Sequence, residues 1–279
     1  MKIRMYVCTY KNPAILNNWF LKSLSESNYP KDLVDIFIID NASKTQFCAA
    51  IENQYSTLYS LMPNDLSPHF STGHLARTWN YSIINGFEDL DKPQCDAVIT
   101  VQHDTILTPN WYESVVKTLK TYDFITNGVG DQFLIFTPNA IKNIGLFDER
   151  LCNIGNQEAD YFLRAVKFYP EKSSINDPVH GRLYNYIDAW KFIKKTKSGY
   201  SRRDPHHLIS HRFHPLSLAF LKHKWHANLN LKHPHWVEAS RDARQLCNNY
   251  ITYPYFENKL NQDTLRNQLY VVPDIYLME

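Results

Sequence analysis

The sequence predicts an α/β fold: a mostly parallel central sheet flanked by helices, followed by a basic, largely helical carboxyl-terminal lobe. Three observations predict it. Short runs rich in β-branched residues alternate with longer amphipathic segments through residues 1–180. The clearest run, Val98-Ile99-Thr100-Val101-Gln102-His103-Asp104-Thr105, is apolar until it stops on an acid. A buried parallel strand reads this way, and the acid then falls at the carboxyl edge, where open α/β sheets bind ligands. Beyond residue 180 the alternation fades, and the chain becomes basic and rich in His and Tyr.

The elements follow in order. Ile3 to Cys8 reads as the first strand, and Asn12-Pro13 opens a helix ending near Ser27. Val34 to Ile39 is a second apolar strand, closing on Asp40-Asn41, and a third strand is expected around Leu58 to Met62. A polar loop from Pro63 to Thr72 precedes a helix over Gly73 to Phe87. Leu75, Trp79, Ile83 and Phe87 recur every four residues there, so one helical face is buried. The Asp104 strand comes next. Thr108-Pro109 then looks like an N-cap followed by proline at the first helical position, opening a helix to about Lys120. Gln132 to Phe136 reads as a strand and Ala140 to Ile144 as a short helix. In the lobe, Leu216 to His226 and Trp236 to Cys247 look helical.

Composition narrows the class. At 279 residues the chain can hold one large domain or a core with an appended lobe, divided here as 1–180 and 181–279. No apolar run approaches the roughly 18 residues a membrane span needs. The amino terminus enters a strand directly, without signal-peptide character. Five scattered cysteines form no CxxC pair, which argues against zinc knuckles and a disulfide framework and predicts a reducing, cytoplasmic setting. The net charge of +2 hides an asymmetry: residues 191–244 carry twelve Lys/Arg against three acids, leaving about −7 elsewhere. Eight histidines fall between His206 and His235. A surplus of this kind suits an anionic partner, although a solvated helical face has the same composition.

Four blocks, in order, carry a family resemblance: Val7-Cys8-Thr9-Tyr10-Lys11-Asn12, Ile38-Ile39-Asp40-Asn41-Ala42-Ser43, Val101-Gln102-His103-Asp104-Thr105, and Ile144-Gly145-Leu146-Phe147-Asp148-Glu149 followed by Gln157-Glu158-Ala159-Asp160-Tyr161-Phe162-Leu163-Arg164. The pattern resembles the GT-A nucleotide-sugar glycosyltransferases, especially the family 2 group, over about residues 3 to 180. The basic lobe matches no recognisable pattern.

The resemblance implies transfer of a sugar from a nucleotide diphosphate sugar, most simply a UDP-sugar, to an acceptor hydroxyl, assisted by Mn²⁺ or Mg²⁺. Thr9, Tyr10, Asn12, Asp40, Asn41, Arg77, Gln102 and His103 become candidate donor-binding residues. Asp40 at a strand end can accept the imide hydrogen of a uracil-type base, and Tyr10 offers a stacking face. Arg77 can reach the base edge or the diphosphate, whereas Asn80 is expected to orient its loop. Asp104 aligns with the last Asp of the family's Asp-x-Asp, the usual metal ligand. Gln102 stands where the first Asp belongs, and it brings no charge. The second protein ligand is expected to be a distant His: His180 first, with His206, His207 and His211 as competitors. Glu158 aligns with the general base of inverting members and Asp160 is its alternative. An N-cap and a first-turn acid would look the same.

The acceptor side falls to the lobe: a glycan, a lipid-linked saccharide or, through the basic 191–244 stretch, nucleic acid such as a modified base in viral DNA. Two other readings compete. A sugar-1-phosphate nucleotidyltransferase needs a Gly-rich loop near its first strand, and Thr9-Tyr10-Lys11-Asn12-Pro13 has no glycine. A non-catalytic sugar-nucleotide-binding relative would have little reason to keep Glu158. The sugar, the stereochemical outcome and the oligomeric state are not encoded legibly.

Overall fold

A computed structural model of the chain describes residues 1–9, 13–41, 53–64, 74–127, 132–149, 151, 156–168, 179–180, 183–184, 215 and 217–225. Strand β1 (Ile3–Thr9) leads into helix α1, which runs through Pro13–Ile15, a π-helical stretch Leu16–Leu21, and Lys22–Ser25. Then come β2 (Val34–Asn41), a 3-10 turn Asn53–Tyr55, β3 (Ser60–Asn64) and α2 (His74–Phe87). After β4 (Ala97–Gln102) follow α3 (Trp111–Leu119), β5 (Phe124–Asn127), β6 (Phe133–Phe136), α4 (Pro138–Ile144) and α5 (Asn156–Phe168). Two short strands, β7 (Val179–His180) and β8 (Leu183–Tyr184), and a helix over 217–225 complete the described chain.

The strands make one sheet in the order β3-β2-β1-β4-β6-β5-β8-β7. β1, β2, β3 and β4 are parallel, in the registers Thr9↔Asp40, Asp40↔Pro63 and Cys8↔Gln102. β6 runs antiparallel between β4 and β5, so the sheet is mixed rather than uniformly parallel beyond β4. The run of one direction explains why Thr9, Asp40 and Gln102 all arrive at the same edge.

Alternation along the strands builds two cores, because successive side chains point to opposite faces. Met5, Val7, Ile36, Ile38, Ile99 and Val101 face α1 and α3, packing with Leu16, Phe20, Trp111 and Val115. Tyr6, Cys8, Ile39 and Val98 face the other way, against Trp79, Ile83 and Phe87 of α2 and Phe147, Tyr161, Leu221 and Trp225. Leu221 and Trp225 lie beyond residue 180, so the 217–225 helix is built into this core. Gly86 marks the closest approach of α2 to the sheet: a Cβ there would run into Val98.

Local boundaries differ from expectation in three places. The helix after Asp104 begins at Trp111 with Asn110 in the capping position, and Thr108 instead accepts the Trp111 N–H through its carbonyl at 3.2 Å. The Thr108-Pro109 pair therefore shapes the preceding turn, where Asn28 N–H donates to Pro109 O at 2.8 Å. The short helix starts at Pro138, because Thr137 caps it by accepting from Ala140 N–H at 3.1 Å. Strand β5 was not anticipated. The expected helix over Trp236 to Cys247 lies outside the described residues. Among the described residues, Cys8 and Cys95 are buried, and no helix is long and apolar enough to cross a membrane.

Candidate active site

Three groups of polar residues gather at or beside the carboxyl edge of the sheet. The first surrounds Asp104. The His103 N–H donates to Cys8 O at 3.2 Å, fastening the turn after β4 to the end of β1. Thr105 closes that turn: its N–H donates to Gln102 O, and its hydroxyl donates to Gln132 O, each at 3.1 Å. Asp104 is consequently fixed and only 1% exposed. Burial pushes its carboxyl up to about 6, opposed by hydrogen bonds from its own backbone and from the Gln132 side chain. Its Oδ1 nevertheless has no hydrogen-bond partner among the described residues, and neither does the buried Thr9 hydroxyl at the end of β1. A buried, unpaired carboxylate oxygen is costly unless something else takes it up.

The second group joins β2 to the segment after α4 by way of α2. Asp40 and Asn41 are buried at the end of β2. Thr78 donates its hydroxyl to Asn41 Oδ1 at 3.3 Å. Two residues on, Asn80 Nδ2 donates to Phe147 O and Glu149 Oε1, both at 2.9 Å, and Asn80 Oδ1 accepts from Phe147 N–H at 2.8 Å. Asn80 thus orients the loop after α4; most of the polar loop it was expected to orient lies outside the described residues. Arg77 is mostly buried and pairs with Glu149, Nε to Oε2 at 3.3 Å. Burial raises Glu149 to about 7; Asn80 and Arg77 oppose the rise, and Asp148 adds to it.

The third group centres on α5. Glu158 sits buried in the helix's first turn, where the helix dipole favours a carboxylate. Asp160 has a different environment. Its Oδ2 accepts from Arg164 Nε at 3.0 Å, its Oδ1 accepts from Trp225 Nε1 at 3.0 Å, and Lys224 Nζ lies 2.7 Å from the same Oδ1. Lys224 also donates to Asp148 Oδ2 at 2.7 Å. Asp148, Asp160 and Lys224 are all fully buried. Asn156 and Gln157, which open α5, are also buried, and the Asn156 Nδ2 and both polar atoms of the Gln157 side chain lack partners among the described residues.

Among the sequence-predicted residues, Thr9, Asp40, Gln102, His103 and Asp104 come together at the edge of β1, β2 and β4. Asn41 and Arg77 are drawn into the α2 network. His180 lies on β7, for which only the backbone is described; Tyr10, Asn12, His206, His207 and His211 lie outside the described residues. No cluster of three metal-ligating side chains occurs among the described residues. Sequence reasoning missed the roles of Asp148, Glu149, Gln132 and Lys224. A signal existed for Lys224: it shares a helical face with Leu221 and Trp225, so a lysine was being buried.

Sheet order, the reversed sixth strand and the polar carboxyl edge define the class: this is the GT-A glycosyltransferase fold. The fold is similar to that of the mannosyltransferase PcManGT from Pyrobaculum calidifontis, solved in complex with GDP-Man and Mn²⁺. The two share 15% identity over 87% of this chain and 73% of that one, at a TM-score of 0.51. S. aureus TarS is matched at 15% identity and TM-score 0.43, over 59% of this chain. There the chain spans only 34% of its counterpart. TarS 1-349 in complex with UDP-GlcNAc gives 13% identity and 0.43, over 87% of this chain and 71% of that one. No family model and no curated protein sequence matches the chain.

Proposed function

We propose that the chain is a metal-assisted glycosyltransferase that moves a sugar from a nucleotide diphosphate sugar to an acceptor hydroxyl. The observation that carries this reading is Asp104: a fixed, buried carboxylate at the sheet edge whose Oδ1 no described residue satisfies. A hard divalent cation takes oxygen ligands, and one such oxygen is held ready here. Asp104 would hold Mn²⁺ or Mg²⁺ with His180 (or His206 or His207) and the donor's phosphates, and Gln102 would hydrogen-bond the ribose in place of a second acid. The bound cation would neutralise the charge that grows on the leaving diphosphate.

The remaining work belongs to the chain. Asp40, Thr9 and Tyr10 would bind the nucleoside end of the donor, with Asn12, Asn41 and His103 lining the same edge. Glu158 would remove the acceptor's proton as its oxygen forms a bond to the anomeric carbon and the bond to the diphosphate breaks. Its place in the first turn of α5 suits a carboxylate, because the helix dipole favours negative charge there. We assign Asp160 to positioning, since three donors already occupy its carboxylate. The GDP-Man and Mn²⁺ of the Pyrobaculum relative support a nucleotide-sugar donor and a divalent metal. The basic 191–244 stretch is the acceptor side in this reading, for a glycan, a lipid-linked saccharide or nucleic acid.

The test is donor turnover, measured as nucleotide diphosphate release from a panel of UDP- and GDP-sugars with Mn²⁺. Wild type is expected to turn over at least one donor, and both chelator and Asp104→Asn should abolish that turnover. Turnover that survives both would exclude the metal assignment. For the acceptor, DNA binding that falls steeply with salt would select nucleic acid, and no binding at low salt would remove it.

A further inference from the structure

We propose that Lys224 is a positioning residue for glycosyl transfer, fixing the helix turn that carries Glu158 against the loop that carries Glu149. The proposal rests on the glycosyl-transfer reading above. Lys224 lies 64 residues after Asp160 and 76 after Asp148 in the chain. Its ammonium contacts both acids at 2.7 Å, and none of the three side chains is exposed. Burying such a cation is expensive, and a well-packed apolar trio is often as stable or more so. Stability alone is therefore a poor reason for the arrangement, whereas geometry is a good one.

The geometry is specific. Asp160 stands two residues after Glu158 in α5, and Asp148 is bonded directly to Glu149. One compact point charge bridging those two acids sets the spacing of both segments. Two further ties run between the same pieces: Arg164 Nη1 donates to Ile144 O at 2.8 Å, and the Tyr161 hydroxyl donates to Gly145 O at 3.1 Å. Both of those secure the far side of α5 to the start of the loop. Lys224 contacts both Asp160, near the Glu158 end of α5, and Asp148, at the acidic end of the loop. Gly145 adopts φ 86°, so the loop leaves α4 through a conformation only glycine takes easily, and its far end needs a fixed anchor.

Lys224→Arg separates positioning from charge balance. The charge is retained, but a planar five-donor fork replaces a point charge between two carboxylates and must spread them. Displacements of about 1 Å at a reacting group cost about a hundredfold. Wild type and variant are compared for Tm, for the donor's KM and for kcat. The expected result is kcat lowered about ten- to a hundredfold, with donor KM within about threefold of wild type. A charge-balanced double variant, Lys224→Met with Asp148→Asn, should recover the Tm lost in Lys224→Met alone while kcat stays low. Wild-type kcat in either Lys224→Arg or the double variant would overturn the positioning role and leave the glycosyltransferase reading intact. A wild-type protein inactive on every donor would instead overturn that reading, and this inference with it.

Discussion

The Asp104 edge and the Asp160 cluster are both acidic and buried, yet they treat their carboxylates in opposite ways. Asp160 accepts from Arg164 and Trp225 and contacts Lys224, so its charge is matched inside the protein. Among the described residues, Asp104 is helped by Gln132 and its own backbone, while its Oδ1 and the Thr9 hydroxyl have no partner. A saturated buried acid is a structural member. An unsaturated one at a sheet edge has room for a further partner. In the proposed reading the two regions divide the labour: one would take donor and cation, the other would hold the Glu158 helix in place.

Substitution should separate the regions sharply. Asp160→Ala leaves Lys224 with Asp148 and takes from Arg164 its ion-pair partner in the core, and is expected to cost about 3–5 kcal/mol of stability. Asp104→Ala should leave stability within about 1 kcal/mol of wild type or raise it, since it removes a desolvated carboxylate. Donor turnover should fall about a thousandfold, the loss of several kcal/mol of charge stabilisation. Chemical denaturation and turnover measured on both variants check this, and equal stability losses would erase the distinction. Gly86→Ala comes next. The new methyl meets Val98 where α2 lies against β4, and a loss of about 1–3 kcal/mol in denaturation is expected. An unchanged midpoint would mean that α2 packs less tightly than described.

A smaller effect tests Glu149, which lies between the two regimes, since Asn80 and Arg77 satisfy it without cancelling its burial. Its folded-state value of about 7 exceeds the ordinary 4.5, so the folded protein holds this proton more tightly than the unfolded chain does. That contribution to stability is fully present below about pH 4.5 and is lost as pH rises through about 7. Glu149→Gln, which has no proton to lose, should therefore show a shallower fall in Tm between about pH 5 and 8 than wild type. Parallel Tm curves would contradict it.

Much of the fold is legible in the sequence, because it is written in local periodicity. The runs at Ile3, Val34 and Val98 and the four-residue spacing of Leu75, Trp79, Ile83 and Phe87 each mark an element within a residue or two. β5 escapes because it is four residues long and shows no alternation to distinguish it from a loop. β6 is legible as a strand, but its antiparallel direction is not, because direction depends on connections rather than on residue type. In the site, Asp104 announces itself by ending an apolar run. The partners that decide the character of Asp160 do not: Lys224 and Trp225 are more than sixty residues away, and only the packed helix brings them near. Local pattern thus reveals which acids are present, and long-range packing decides which remain available.

Availability of Asp104 is the central claim, and ligand-induced stabilisation tests it most directly. Wild type and Asp104→Ala are melted with a panel of UDP- and GDP-sugars, with and without Mn²⁺. A ligand at a hundred times its Kd stabilises a protein by about 2.7 kcal/mol, a readily visible shift. At least one donor is expected to raise the wild-type Tm, more strongly with Mn²⁺, and the Mn²⁺-dependent part is expected to vanish in Asp104→Ala. An equal Mn²⁺-dependent shift in both proteins, or none in wild type with any donor, would contradict it.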